Sequence, residues 1–223
     1  MLYRDVTKTG HKISEISFGC MSLELDQKLA NRMLQKAADL GVNYFDTADL
    51  YQAGKNEEMV GKALKRRRTE IMLATKVGNQ MNSDAKSWTW NPTKPYILQA
   101  VEESLRRLQT DYIDVYQLHG GTIDDPIDEV IETFEILKQQ GKIREYGISS
   151  IRPNVIGEYI RRSDIMSVML QYSLLDRRPE EKMLSQLKEE GIGVIVRGAL
   201  SKGLLTKNIL SDYLNNSIES IDL

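Results

Sequence analysis

Apolar positions along the chain follow two alternating periods. Stretches with an apolar residue every three or four positions, such as Ile97, Val101, Leu105 and Leu108 or Ile127, Val130, Ile131, Phe134 and Leu137, give way to short runs rich in β-branched residues. The first pattern predicts amphipathic helices. The second predicts strands at 13–20, 42–46, 70–77, 112–119, 142–149, 165–171 and 192–196. A recurring strand and helix of this kind is the grammar of an α/β fold with a parallel sheet.

Proline and glycine agree with those periods. Pro95, Pro126, Pro153 and Pro179 each stand where a helix would begin, a position that needs no backbone N–H. Gly41, Gly141 and Gly191 each close an amphipathic stretch ahead of a strand, as a left-handed helix end requires. The segment 79–92, which carries Trp88 and Trp90, lacks either period and is expected to be a long loop. No Ser/Gly linker divides the sequence, so residues 1–223 are expected to form a single domain. A doubly wound dinucleotide-binding sheet would show G-x-G-x-x-G after its first strand, but Phe18-Gly19-Cys20-Met21-Ser22-Leu23 stands there. A TIM-type (βα)8 barrel is the better match. It needs eight units, and the tail after Gly203 offers no convincing eighth strand, so the barrel is expected to be incomplete at its C-terminal end.

Composition narrows the chemistry. Apolar residues make up 41% of the sequence and charged residues 28%, which is ordinary for a globular chain. Thirty Lys and Arg against 32 Asp and Glu give a net charge of −2, so no global field would hold the protein on nucleic acid or an anionic membrane. The basic run Lys65-Arg66-Arg67-Arg68 is expected to be a solvated helix end. One cysteine, Cys20, excludes an intrachain disulfide, and two histidines, His11 and His119, are too few for a zinc site. No apolar stretch approaches the roughly 20 residues of a membrane span, and the expected setting is the cytoplasm.

In a parallel barrel the C-terminal ends of all strands share one rim, so polar residues at those ends converge. Asp46 ends the second predicted strand, with Tyr51 five residues on. Lys76 lies near the end of the third, His119 ends the fourth, and Ser149-Ser150 end the fifth. Taken singly, each has an ordinary structural explanation as a cap, a packed ring or a solvated charge. Together they suit proton donation to a developing alkoxide. Tyrosine, with a reference pKa of about 10, would be the acid if Lys76 stabilised its phenolate. Asp46 would hold the lysine, and a neutral His119 would polarise a carbonyl oxygen. None of these groups supplies two electrons, so a reduction would need a nicotinamide cofactor. The stretch Arg197-Gly198-Ala199-Leu200-Ser201-Lys202-Gly203 offers close backbone approach and cations for a pyrophosphate. A metal-dependent hydrolase is disfavoured by the poor ligand set.

These residues resemble the aldo-keto reductase family. The resemblance runs from about Ile13 to Leu205 and is carried by Phe45-Asp46-Thr47-Ala48-Asp49-Leu50-Tyr51 with Gly54, Asn56-Glu57 and Gly61, then by Ala74-Thr75-Lys76-Val77-Gly78. It continues in Asp111-Tyr112-Ile113-Asp114, Gln117-Leu118-His119, Gly141-Lys142-Ile143-Arg144 and Gly147-Ile148-Ser149. The resemblance implies a (βα)8 barrel that reduces an aldehyde or ketone with NADPH, through a tetrad of Asp46, Tyr51, Lys76 and His119 with Tyr51 as proton donor. With the loop at 197–203 read above, the expected cofactor contacts are Met21, Asp46, Ser149, Ser150, Gln171, Arg197, Gly198, Leu200, Ser201 and Gly203.

The sequence departs from the family pattern in three places. Ser150 stands where the family has asparagine. The family glutamine aligns with Met169, while Gln171 lies two residues on along the same strand face. Arg197 replaces an aromatic that stacks on nicotinamide, and its planar guanidinium could stack or take phosphate. Because the family's 2′-phosphate segment has no match after Leu205, NADPH comes from the resemblance alone and NADH is the alternative carrier. A non-catalytic cofactor-binding subunit and an inactive truncated homologue are the competing readings.

Overall fold

A computed structural model describes residues 1–6, 8–82, 84 and 86–205. Its strands are β1 (Tyr3–Val6), β2 (His11–Ser14), β3 (Phe18–Gly19), β4 (Tyr44–Asp46), β5 (Met72–Val77), β6 (Asn79–Met81), β7 (Trp88–Trp90), β8 (Ile113–Leu118), β9 (Ile143–Ser149), β10 (Ser167–Gln171) and β11 (Gly193–Arg197). The helices are α1 (Gln27–Asp39), α2 (Lys55–Leu64), α3 (Lys94–Leu108), α4 (Ile127–Gln139), α5 (Pro153–Arg162) and α6 (Met183–Glu189).

Seven strands form one parallel sheet in the order β11-β10-β9-β8-β5-β4-β3. That order never reverses along the chain. A doubly wound sheet has a switch point where it would reverse, whereas a barrel is laid down strand by strand in one direction. The inner strands β5 and β8 are buried at all six of their positions, as expected of strands covered on both faces. The question of an eighth strand falls on residues beyond 205, outside the described residues.

All seven predicted parallel strands are present, with two corrections. The predicted strand at 13–20 is divided: Ile13 and Ser14 belong to β2, which pairs antiparallel with β1, and only Phe18–Gly19 enters the parallel sheet. The expected long loop at 79–92 contains the antiparallel pair β6–β7, with Asn79 opposite Trp90. Two three-residue strands are too short to show a period.

Local chemistry sets the helix ends. Asp26 caps α1 by accepting from the N–H groups of Lys28 (2.8 Å) and Leu29 (3.1 Å). Pro95 and Pro153 lie in the first turns of α3 and α5, and Pro126 caps α4. Gly41, Gly141 and Gly191 all have positive φ.

The main core lies between sheet and helices. A second, smaller cluster of Val6, Ile13, Tyr44, Met72, Ala74, Val115 and Met166 packs alternate strand residues against the β1–β2 hairpin. Beside it, at the strands' N-terminal ends, Arg68 donates to the Tyr112 carbonyl (2.7 Å) and pairs with the buried Asp114 (2.6 Å). Arg68 and Arg144 each stack on the Tyr112 ring at 4.0 Å. The expectation of a solvated helix end is therefore wrong for Arg68, whose guanidinium is largely covered; Lys65 and Arg66 are exposed.

Helices α2 and α3 approach closely at Gly61. A Cβ there would lie 2.4 Å from the Leu108 carbonyl oxygen and 2.6 Å from its carbonyl carbon, so backbone would have to move. Gly61→Ala is expected to destabilise the fold by about 1–3 kcal/mol. Urea unfolding followed by circular dichroism measures this, and an unchanged midpoint would contradict the close approach.

Candidate active site

The strand register builds the site. Side chains at i and i+2 share a face, so Ala74 and Lys76 on β5, and Val115 and Gln117 on β8, continue the interior row begun by Tyr44 and Asp46. Asp46 is opposite Ala74, and Lys76 is opposite Gln117. Lys76, at 1% exposure, is one of the most buried side chains in the protein. A buried ammonium needs partners to offset lost hydration. Its Nζ donates to Asp46 Oδ1, to the Thr47 carbonyl at 2.7 Å and to the Tyr51 hydroxyl at 3.5 Å. Gln117 Nε2 donates to the other Asp46 oxygen at 3.0 Å.

Tyr51 reaches the lysine from a tight turn rather than from a strand. The turn at Tyr51–Gly54 runs through left-handed backbone at Gln52 (φ 53°), Ala53 (φ 53°) and Gly54 (φ 85°) before α2 begins. Left-handed backbone costs free energy at residues other than glycine, so this turn is held by its surroundings. Gln52 Nε2 donates to the Leu23 carbonyl at 2.6 Å. The His119 ring packs edge-on to the Tyr51 ring with centroids 6.0 Å apart. The four residues expected to act together are therefore adjacent.

The charges of the four are interdependent. Burial raises the Asp46 carboxyl, while Lys76 and Gln117 pull it back. Burial disfavours the Lys76 charge, but Asp46 and Tyr51 outweigh it and lift the ammonium above the ordinary lysine value. For Tyr51 the lysine acts as expected, lowering the phenol, but burial acts more strongly. Burial pushes the phenol up, and Lys76 offsets only part of the rise. Burial, then Lys76 and Arg197, lower His119 to about 3, so its ring is neutral across the physiological range. His119 Nδ1 is buried without a hydrogen-bond partner. A buried lone pair without a donor costs less than a buried N–H without an acceptor, which favours the tautomer with its proton on Nε2.

The expected cofactor residues fall on the same rim. Ser149, opposite Met169, and Gln171, opposite Arg197, end three adjacent strands. Ser149, Ser150 and Met169 are buried, and Met21 and Leu200 are exposed. Arg197 Nη1 donates to Gln171 Oε1 at 3.1 Å. Gly198 and Ser201 have positive φ, the Ser201 amide bonds to the Gly198 carbonyl (2.9 Å), and its hydroxyl bonds to Ser173 (2.9 Å). Gly203 bonds back to the Leu200 carbonyl at 2.8 Å. The Lys202 side chain lies outside what is described. Two hydroxyls and an amide suit a carboxamide, a guanidinium suits a ring face or a phosphate, and Gly198 permits close approach. This set fits a nicotinamide nucleotide. Among the described residues, no group of three or more His, Cys, Asp or Glu side chains could hold a metal ion. Nor is any helix there long and apolar enough to cross a membrane.

Gln117, Glu57 and Asp49 stand in the family-like motifs, but the sequence alone assigns them no place at the site. Gln117, two residues before His119, could have been found from the period of the strand. Behind the site, Glu57 is fully buried, accepting from Thr75 Oγ1 and Arg107 Nε at 2.6 Å each. Arg107 is 50 residues away in sequence, and nothing local signals the pairing. Asp49 has one carboxyl oxygen buried without a partner, and burial, reinforced by Glu57, lifts it to about 8.

Residues 15–220 match the model of the Aldo/keto reductase family. The uncharacterized oxidoreductase YqkF of Bacillus subtilis strain 168 is 55% identical over 218 residues, covering 94% of this chain and 71% of that protein. The holo form of an aldo-keto reductase from Bacillus halodurans is 59% identical, with a TM-score of 0.91 over 93% of this chain and 70% of that one. An aldo/keto reductase from Klebsiella pneumoniae, solved with NADP and acetate, is 26% identical, with a TM-score of 0.78 over 97% of this chain and 76% of that one. The chain spans about seven-tenths of the length of the first two.

The Asp49 carboxyl makes the stability of the fold depend on pH. A carboxyl whose folded value lies near 8, against an ordinary 3.8, favours the folded state when protonated, so its contribution is lost as pH rises between those values. Asp49→Asn removes that titration. The melting temperature of the variant is expected to gain on the wild type by about 2 °C or more between pH 5 and 8, with no further widening above that. A difference that stays constant with pH would contradict the assignment.

Proposed function

The chain belongs to the aldo/keto reductase family, whose fold is a TIM-type barrel, and we propose that it reduces the carbonyl group of an aldehyde or ketone with Tyr51 as proton donor. One observation carries this reading: a buried ammonium, Lys76, within 3.5 Å of the Tyr51 hydroxyl and bonded to Asp46 behind it. A lysine meant only to neutralise Asp46 would not need the phenol.

The cofactor we propose is NADPH, in keeping with the NADP complex of the Klebsiella relative, with NADH as the alternative. Ser149, Ser150 and Gln171 would hold the carboxamide. Arg197, with Gly198, Leu200, Ser201 and Gly203, would line the nucleotide, and Met21 would lie against it. The bound nucleotide supplies a hydride. The remaining work belongs to the protein. His119, neutral and carrying its proton on Nε2, donates a hydrogen bond to the carbonyl oxygen and makes its carbon electrophilic. Tyr51 delivers a proton as negative charge develops on that oxygen, and the Lys76 ammonium stabilises the phenolate left behind. Asp46 and the Thr47 carbonyl keep Lys76 aimed. Burial keeps the phenol protonated until the reaction creates a base strong enough to take its proton. The single-domain organisation of residues 1–223 and the lack of a nucleic-acid or membrane partner complete this proposal.

Tyr51→Phe is expected to lower the turnover of an aromatic aldehyde by about 10²–10⁴-fold. NADPH affinity, followed by nicotinamide fluorescence, should stay within about twofold of the wild type, because the phenol acts on the carbonyl. A Phe variant with full activity would remove the proton-donor role. A wild type that binds NADPH but reduces no carbonyl would favour a non-catalytic subunit.

A further inference from the structure

The β6–β7 hairpin carries two tryptophans with different surroundings. Trp88 is 52% exposed. Trp90 is half-buried, and its indole lies beside Gly78 and Gly120, just past the strand ends that carry Lys76 and His119. A Cβ on Gly78, two residues past Lys76, would lie 2.6 and 2.8 Å from the Trp90 ring. A Cβ on Gly120, directly after His119, would lie 3.4 Å from it. Both glycines also hold positive φ, at 118° and 135°. The ring therefore occupies space that any other residue at Gly78 would contest, and it lies close beside the connection at Gly120.

The indole is also held from outside. Its Nε1–H donates to Asp125 Oδ1 at 2.9 Å, and Asp125 is fixed by the Thr122 amide (2.6 Å) and hydroxyl (2.8 Å). The His119 backbone is gripped from both sides, its N–H bonded to the Val77 carbonyl (2.7 Å) and its carbonyl to Asn79 Nδ2 (3.1 Å). Asn79 is the cross-strand partner of Trp90. Displacing the indole would release the hairpin and the 120–125 loop together, and His119 lies between them.

We propose that Trp90 is a positioning residue, wedged between Gly78 and Gly120 and anchored by Asp125, that sets the placement of the His119 ring against Tyr51. The proposal rests on the carbonyl-reductase reading for its consequence in turnover and on the packing alone for its consequence in geometry, so the two are tested separately.

The geometric arm uses proton NMR, because His11 and His119 are the only histidines in the chain. In the wild type, the 6.0 Å edge-to-face packing predicts a nuclear Overhauser contact between the His119 and Tyr51 rings. Trp90→Ala should abolish it while leaving the His11 signals in place, and Trp90→Phe, which keeps a ring in the wedge, should restore it in part. The kinetic arm measures 4-nitrobenzaldehyde reduction with NADPH. Trp90→Ala should lower kcat by about tenfold or more, as misplacement of a reacting group does, with the NADPH dissociation constant within about twofold. Added to His119→Ala, it should cost less than about twofold more, because a residue acting through His119 has nothing left to position. An unchanged Overhauser contact in the folded Ala variant, or losses that multiply in the double variant, would overturn the proposal. Should the Ala variant fail to fold, the same contact and cycle measured on Trp90→Phe decide the matter. A wild type without turnover whose contact is lost on substitution would sink the reductase reading and leave the wedge standing.

Discussion

The structure depends on one ammonium taken out of water. Removing an ion of this size from solvent costs several kcal/mol even after the protein relaxes, and only well-placed partners offset it. Lys76 has three, and each comes from a segment fixed in turn by others. Asp46 is held by Gln117. Thr47, whose carbonyl takes one ammonium proton, donates its hydroxyl to Asn56 at 2.6 Å, and Asn56 donates to the Cys20 carbonyl at 2.8 Å. Burying this one charge thus ties β4, β5, β8, α2 and the turn after β3 together. The arrangement that stabilises the lysine is also the one that leaves its remaining donor for a phenol.

A second buried charge lies on the opposite face of the same strand. Thr75 points away from Lys76, as neighbours on a strand must, and donates to Glu57. Arg107 meets Glu57 from α3, across the helix pair that closes tightly at Gly61. Two successive residues of β5 therefore serve two separate ionic networks, one lining the mouth and one bonding the helices. Removing Arg107 would leave the buried Glu57 carboxylate without its cation, a far larger penalty than losing a surface pair.

Much of this was legible in the sequence because the periods of the strands and helices are physical consequences of burial. The strands at 42–46, 70–77 and 112–119 were found within a few residues, and with them the shared rim of Asp46, Lys76 and His119. Tyr51 could be named but not placed, since the left-handed backbone at Gln52 and Ala53 has no residue signature such as glycine. The hairpins have no clear sequence signature for a related reason. β1, β6 and β7 are only three or four residues long, and a short alternation cannot be told from a polar loop. Tertiary pairings such as Arg107 with Glu57, Arg68 with Asp114 and Trp90 with Asp125 join residues 35 or more apart, and nothing along the chain announces them. The effect of Lys76 on the phenol is visible in a motif, whereas the depth of burial that outweighs it is not.

The Arg68–Tyr112–Arg144 stack lies at the end of the strands remote from Tyr51 and His119. It braces one end of β5, β8 and β9 with aromatic and ionic contacts, while the other end carries polar groups on turns and loops. Anchorage and reactivity are thereby housed at opposite poles, so the mouth loops are free to diverge and acquire new substrates without loosening the base on which the cylinder stands.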